Sequence, residues 1–221
     1  MPTLIGKKKL AAASMPDTRL SILTAATEEF ARKGYAGART EKIARVAGVK
    51  HTLVFYYFRN KDRLYQAVLE SVFSEWAYHV SRALDQKGPP RKRLLAYINA
   101  YFDYIAEFWW VPRLVQQEQL RHEGRGSGQL RKLMERYTHP IHEKLAGLLK
   151  EGISTGAFRN IDVEHTLHSI SALIVFYFTR RLSVQALEHG ESEVGRQIAG
   201  RRKAVLDFVS AALFTSRSIE P

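Results

Sequence analysis

The stretch that decides the fold runs from Arg39 to Phe58, R-T-E-K-I-A-R-V-A-G-V-K-H-T-L-V-F-Y-Y-F. Its first half, Arg39 to Ala47, places Ile43, Ala44 and Ala47 on one helical face. Gly48 then breaks the pattern, and a glycine there permits the positive φ that a sharp turn needs. A second short helix, Lys50 to Phe58, follows and is ended by Arg59-Asn60-Lys61. Ala44, four residues before Gly48, is small enough for the second helix to cross closely, and Val49 and Val54 fill the space between the two. Two short helices about a tight glycine turn make a helix-turn-helix, whose second helix enters the major groove of DNA.

The second helix has the side chains that such a role needs. Lys50, His51 and Thr52 stand at its N-terminal end, where base edges are reached. Tyr56 and Tyr57 can donate hydroxyl hydrogen bonds to phosphate while their rings pack. Lys61 opens the next helix, where its ammonium and the free backbone N–H groups together suit a phosphate.

Outward from this core the dominant period is helical. Toward the N-terminus, Leu20, Leu23, Ala26, Thr27 and Phe30 recur every three to four residues, with Asp17 or Thr18 as cap and Gly34 as the stop. Toward the C-terminus, Leu64, Val68, Val72, Trp76 and Val80 mark a long helix from Lys61 to about Asp85, stopped by Gly88-Pro89-Pro90. Further helices are predicted over Arg91–Trp110, Arg113–His122 (after an interruption at Val111-Pro112), Gln129–Thr155, Asp162–Leu187 and Glu193–Phe214. The loop Gly124–Gly128 is the internal segment of highest predicted mobility. No segment alternates with period two, so the fold class is all-α. The expected organisation is a flexible basic tail (1–15), a three-helix DNA-binding domain (16–62), a larger helical bundle (63–215) and a short tail (216–221). The Lys61–Asp85 helix would act as a rigid lever between the two domains.

Charge supports this division. The 221 residues carry a net +12, which suggests an anionic partner. Through Arg63 there are 13 Lys and Arg against five Asp and Glu; the remaining 158 residues carry 21 against 17. The excess is thus concentrated in the first third. Cysteine is absent, which excludes disulfide scaffolds, Cys-ligated zinc and thiol nucleophiles. The longest uncharged stretch, His165 to Thr179, is too short to span a bilayer, and Leu10–Ala13 is too weak for a signal peptide. A soluble cytoplasmic chain is expected. No glycine-rich phosphate loop, H-E-x-x-H or nucleophile elbow is present, so no enzyme is expected.

The run T-E-K-I-A-R-V-A-G-V-K-H-T-L-V-F-Y-Y-F-R-N-K-D-R-L resembles the DNA-binding domain of TetR/AcrR-type transcriptional regulators. The resemblance covers about Thr18 to Val72. It includes an upstream A-x-x-x-F-x-x-x-G-Y, here Ala26, Phe30, Gly34 and Tyr35, and a downstream F-x-x-K-x-x-L, here Phe58, Lys61 and Leu64. It implies that Thr40, Lys50, His51, Thr52, Tyr56, Tyr57 and Lys61 face DNA; Leu53 joins that face and Arg39 is assigned a phosphate. Four positions depart from the family pattern: Lys50 replaces a usual Ser, Thr52 a frequent Gly, Phe55 a frequent Tyr and Arg39 a common Thr or Ser. The Lys50 replacement forfeits an N-cap worth about 1 kcal/mol.

The resemblance further implies a variable C-terminal domain that dimerises and binds a small effector, and hence a repressor released from a palindromic operator. Leu173, Phe176, Tyr177 and Arg180 share one helical face, and Ile198, Val205, Phe208, Val209, Ala212 and Leu213 form a stripe on the last helix. These serve either a two-fold four-helix interface or the intrachain core. Tyr97, Tyr101, Tyr104 and Phe108 also share a face, and three hydroxyls argue against a wholly dry core. With Phe176 and Tyr177 opposite, they would line a pocket for an apolar or aromatic ligand; ordinary core packing is the alternative. The pairs His139/His142 and His165/His168 lack the Glu-x-x-His form of bundle metal sites, so no metal and no cofactor are assigned. The competing functional class is a basic helical adaptor or membrane-surface protein, for which Lys7–Ala13 is too short.

Overall fold

The computed structural model describes residues 17–121, 128–184 and 191–215. The sequence expectations for the 1–15 and 216–221 tails and for the Gly124–Gly128 loop, Gly128 apart, lie outside these residues. The order is α1 (Thr18–Gly37), α2 (Thr40–Val46), α3 (His51–Phe58), α4 (Lys61–Leu84), α5 (Pro90–Glu107), α6 (Val111–Arg121), α7 (Gly128–Leu133), a π-helical turn (Met134–Thr138), α8 (His139–Ser154), α9 (Val163–Val184) and α10 (Glu191–Leu213). No strand occurs among the described residues; Phe158 and Phe214 form an isolated bridge.

The chain divides into two compact units. Of the described residues, the first takes those of 17–73 and 113–133; the second takes those of 74–112 and from 134 on. The division therefore falls inside α4 rather than at residue 62, and α6 and α7 belong with the helix-turn-helix.

In the first unit, Asp17 caps α1 by accepting from the Arg19 N–H at 2.9 Å. Its buried face is Ile22, Ala25, Ala26, Glu29 and Phe30. This is rotated from the stripe read in the sequence: Leu20 is half exposed, and the Thr27 hydroxyl bonds back to the Leu23 carbonyl. The charged Glu29 hides the true stripe; buried, it is held by Lys42 at 2.9 Å and Arg32 at 3.5 Å, tying α1 to α2. Gly34 (φ 67°) breaks α1 one turn before its end. A side chain at Gly34 would press on Gln117 of α6. Phe30, Tyr35 and Tyr65 pack as a three-ring cluster, with Tyr65 edge-on to the other two at 4.9 and 5.1 Å.

In the second unit, α5 packs against α8, α9 and α10. Its inner face is Leu94, Tyr97, Ile98, Tyr101, Phe102, Tyr104 and Ile105. The Arg91 guanidinium closes one end by donating to the Thr215 carbonyl at 2.6 Å and the Ala157 carbonyl at 3.1 Å, beside the stacked rings of Phe158 and Phe214. Gly152 lies under the Phe158 ring, where a Cβ would overlap it. Asp162 caps α9 through the His165 N–H at 2.8 Å.

Two boundaries differ from expectation. The helix read as continuous over Gln129–Thr155 widens into a π turn at Met134–Thr138. Pro140 is the cause: it has no N–H to give the Arg136 carbonyl, and its ring crowds that turn. The interruption placed at Val111-Pro112 lies instead at Phe108–Trp110, and Pro112 sits in the first turn of α6, where its missing N–H costs nothing.

Candidate nucleic-acid interface

The turn between α2 and α3 is built by the local chain. Gly48 has φ 69°, and no atom crowds the place of a Cβ, so the need for glycine is one of dihedral angle, not of space. The Val49 N–H reaches the Ala44 carbonyl at 3.0 Å and the Gly48 N–H the Arg45 carbonyl at 3.3 Å. This pair is a Schellman cap with glycine at its left-handed position. Ile43 and Ala44 of α2 and Val54 and Phe58 of α3 are buried, which fixes the crossing of the two helices.

Burying Val54 and Phe58 turns the opposite face of α3 outward. Tyr56 is 78% exposed, Thr52 is exposed, and Phe55 and Tyr57 are more exposed than buried residues of their size normally are. Lys50 is the extended N-cap residue of α3; it makes no side-chain cap bond and is exposed. Arg39 holds the same place on α2. Leu53 is half-buried.

Two residues are placed differently from the sequence expectation. Thr40 is buried, and its Oγ1 pairs with His51 Nε2 at 3.0 Å. Its side chain is thus a strut for His51, not a group open to solvent. His51 is further fixed by Glu41 at 3.9 Å and by the edge of Phe55, with ring centroids 4.8 Å apart. Lys61 at the start of α4 lies over the Tyr35 ring at 4.8 Å and donates to the Ala36 carbonyl at 3.4 Å. Tyr35 in turn donates to Asp62 at 2.6 Å, so the ammonium is held at the helix start by a ring that is itself tethered. Arg19 lies over the Phe58 ring at 5.2 Å. Sequence reasoning gave no role to Glu29, Glu41 or Tyr35 in this support; the only signal was the charge of Glu29 beside Phe30.

In the second unit, Tyr97, Tyr101 and Tyr104 are brought together and buried, with Phe108 half-buried against Tyr104 at 4.9 Å. Burial raises the pKa of all three phenols, so they are neutral donors; Glu75, Tyr101 and Glu107 add to this at Tyr104. The Trp76 ring of α4 joins them against Tyr101 at 5.5 Å, a neighbour the sequence did not offer. Phe176 does not join: it is 63% exposed, because α9 directs Leu167, Ile170, Ile174 and Phe178 inward instead. Tyr177 lies beneath the Arg201 guanidinium at 5.6 Å. On α10, Val205, Val209 and Leu213 are intrachain core, while Phe208 is 60% exposed and Ala212 is exposed. The His142 and His168 rings meet edge to face with centroids 6.3 Å apart, and no group of three or more His, Cys, Asp or Glu that could hold a metal occurs among the described residues. No described helix is long and apolar enough to cross a membrane.

Comparison with known proteins covers both units. The signature of the bacterial regulatory proteins of the tetR family matches residues 22–68, and that of the tetracyclin repressor-like C-terminal domain matches residues 90–209. The HTH-type transcriptional repressor NicS of Pseudomonas putida is 27% identical over 168 residues, 74% of this chain and 77% of that protein. The ketosteroid transcriptional regulator KstR2 of Mycobacterium tuberculosis superposes with a TM-score of 0.68 at 19% identity, over 93% of this chain and 99% of that one. The transcriptional regulator FadR of Bacillus subtilis, in complex with stearoyl-CoA, superposes with a TM-score of 0.66 at 22% identity, over 86% and 96% of the two chains. The exposed α3 face, the glycine-capped turn beneath it and the two matched signatures converge: the chain belongs to the TetR family of bacterial transcriptional regulators.

Proposed function

We propose that the protein is a ligand-responsive transcriptional repressor that binds a palindromic operator as a homodimer and is released by a small apolar or aromatic effector. The observation that carries this reading is the outward face of α3, where the Tyr56 ring stands 78% exposed beside Lys50 and Thr52. With Phe55 and Tyr57 beside it, also open to solvent, Tyr56 makes a contiguous aromatic patch on one short helix, the kind of surface that a partner covers. Lys50, His51, Thr52 and Leu53 face base edges; Arg39, Tyr56, Tyr57 and Lys61 face phosphates; Thr40 orients His51. The repressor activity stated for NicS and the ligand held by FadR favour the same reading.

Pairing follows from groove geometry and from the second unit. Two recognition helices match half-sites about 34 Å apart. Phe176 and Phe208, on packed helices α9 and α10, are large rings open to solvent that a two-fold partner would cover. The effector site is assigned to the rings Tyr97, Tyr101, Tyr104 and Phe108, with Tyr177 at its margin. Because α4 contributes residues to both units, it is the covalent route from effector to α3. Release requires that the effector bind the DNA-incompetent state more tightly. A DNA-binding role fits a cytoplasmic location.

A mobility-shift assay on the DNA upstream of its own coding sequence tests the assignment. Lys61→Ala weakens binding to every duplex alike, whereas Lys50→Ala and His51→Ala change the preferred sequence. Equal losses on all sequences from all three variants contradict the assigned roles.

A further inference from the structure

We infer that the effector is a neutral molecule whose carbonyl oxygen, carried on an apolar or aromatic body, accepts from the Trp76 indole N–H and the Tyr97 hydroxyl. This rests on the assignment of the α5 rings as the effector site and gives that site its chemical selectivity. Tyr97 is fully buried and Trp76 is 8% exposed, yet neither Trp76 Nε1 nor Tyr97 OH has a hydrogen-bond partner within 3.5 Å among the described residues; the Ser171 side chain is near enough to act on the Tyr97 phenol but closes no such bond. More than nine in ten buried polar groups in native proteins are paired, and an unpaired one is a standing cost to the fold. Two such groups share one neighbourhood: Tyr101 lies 5.5 Å from the Trp76 ring and 6.0 Å from the Tyr97 ring.

The chemistry of the two groups selects the ligand. An indole N–H can only donate, and a phenol donates readily, so an acceptor satisfies both. A carbonyl oxygen has two lone pairs and can take both bonds at once. A carboxylate would also accept. The same burial that holds the Tyr97 and Tyr101 phenols neutral penalises a carboxylate, however, and Glu75 and Glu107 act on Tyr104 as like charges. An ammonium can donate to the Tyr97 oxygen but leaves the Trp76 indole N–H, which only donates, unpaired, and it carries its own cost of burial. A neutral carbonyl is the class that remains.

The test uses the full chain and a matched series of 2-acetylnaphthalene, 2-ethylnaphthalene, 2-naphthoate and 2-(aminomethyl)naphthalene, measured by isothermal titration calorimetry. The ketone is expected to bind about tenfold more tightly than the hydrocarbon, with the two charged compounds weakest. Trp76→Phe and Tyr97→Phe should each cost the ketone about tenfold and leave the hydrocarbon within about twofold. The melting temperature of ligand-free Tyr97→Phe should not fall, since the change deletes an unpaired buried hydroxyl and leaves the ring in place. If the hydrocarbon binds as well as the ketone, or the variants lose both ligands equally, or Tyr97→Phe melts earlier, this inference is overturned while the effector site stands. If no member of the series binds, the site assignment falls with it.

Discussion

Tyr56→Ala separates a ring kept for DNA from a ring kept for the fold. Tyr56 is 78% exposed, and its described ring contact is an edge-on one with Tyr57 at 5.2 Å. Truncation therefore removes little burial, and alanine favours the helix by a few tenths of a kcal/mol, so the change in folding stability should stay within about 0.5 kcal/mol. On DNA the account is different. A hydroxyl bond to a charged phosphate is worth about 1.5 kcal/mol, and a dimer loses two, so about 3 kcal/mol or roughly 150-fold in Kd is expected. Val54→Ala is the counterpart: at 1% exposure it should cost about 2 kcal/mol of stability through lost burial and a cavity. Chemical denaturation and fluorescence anisotropy on one operator duplex measure both quantities. If Tyr56→Ala lowers stability by 2 kcal/mol or more, or leaves Kd within a factor of three, the assigned role of this face is wrong.

Three further outcomes follow from the second unit. Gly152→Ala should lower stability by about 2 kcal/mol in spite of its better helix propensity, because the new Cβ overlaps the Phe158 ring; an unchanged melting temperature would show that the ring moves freely. Phe208→Asp puts a charge on an exposed ring position, so the fold should survive while sedimentation velocity reports monomers; an intact dimer would remove α10 from the interface. His142 is held below the ordinary histidine value of 6.5 by burial and then by the charges of His168 and His139. The unfolded chain thus takes up this proton at a higher pH than the fold does, so stability is intact above pH 6.5 and declines as pH drops through it. His142→Asn should flatten that decline in a melting-temperature series, and parallel profiles would contradict the assignment.

What the sequence made legible was local. The α2–α3 turn depends on one left-handed glycine and two backbone bonds within six residues, and the caps at Asp17 and Asp162 are equally short in range. The stripe of α4 was readable because the adjoining apolar row Tyr65, Leu69 and Phe73 is buried along with Leu64, Val68, Val72, Trp76 and Val80, so no rival face turns outward. α9 did offer one: Leu173, Phe176 and Tyr177 are as apolar as Leu167, Ile170, Ile174 and Phe178, and only packing against α5 and α8 decides which set goes inward. Glu29 misled the reading of α1, because a carboxylate enters an inner face only when a distant cation such as Lys42 meets it. Thr40 was read as facing DNA since its partner His51 lies eleven residues on, across a turn. The pairing of α6 and α7 with the first unit joins segments some forty residues or more apart in sequence, which no local period encodes.

In the proposed reading α3 enters a duplex groove as one of a two-fold pair. Selection of bound duplexes from a random-sequence library by the full chain puts this to the test. An inverted repeat should emerge, its half-sites about one helical turn apart, with the Lys50→Ala protein enriching altered bases in both halves. Recovery of no common sequence, or of one asymmetric site unaffected by Lys50, would contradict it.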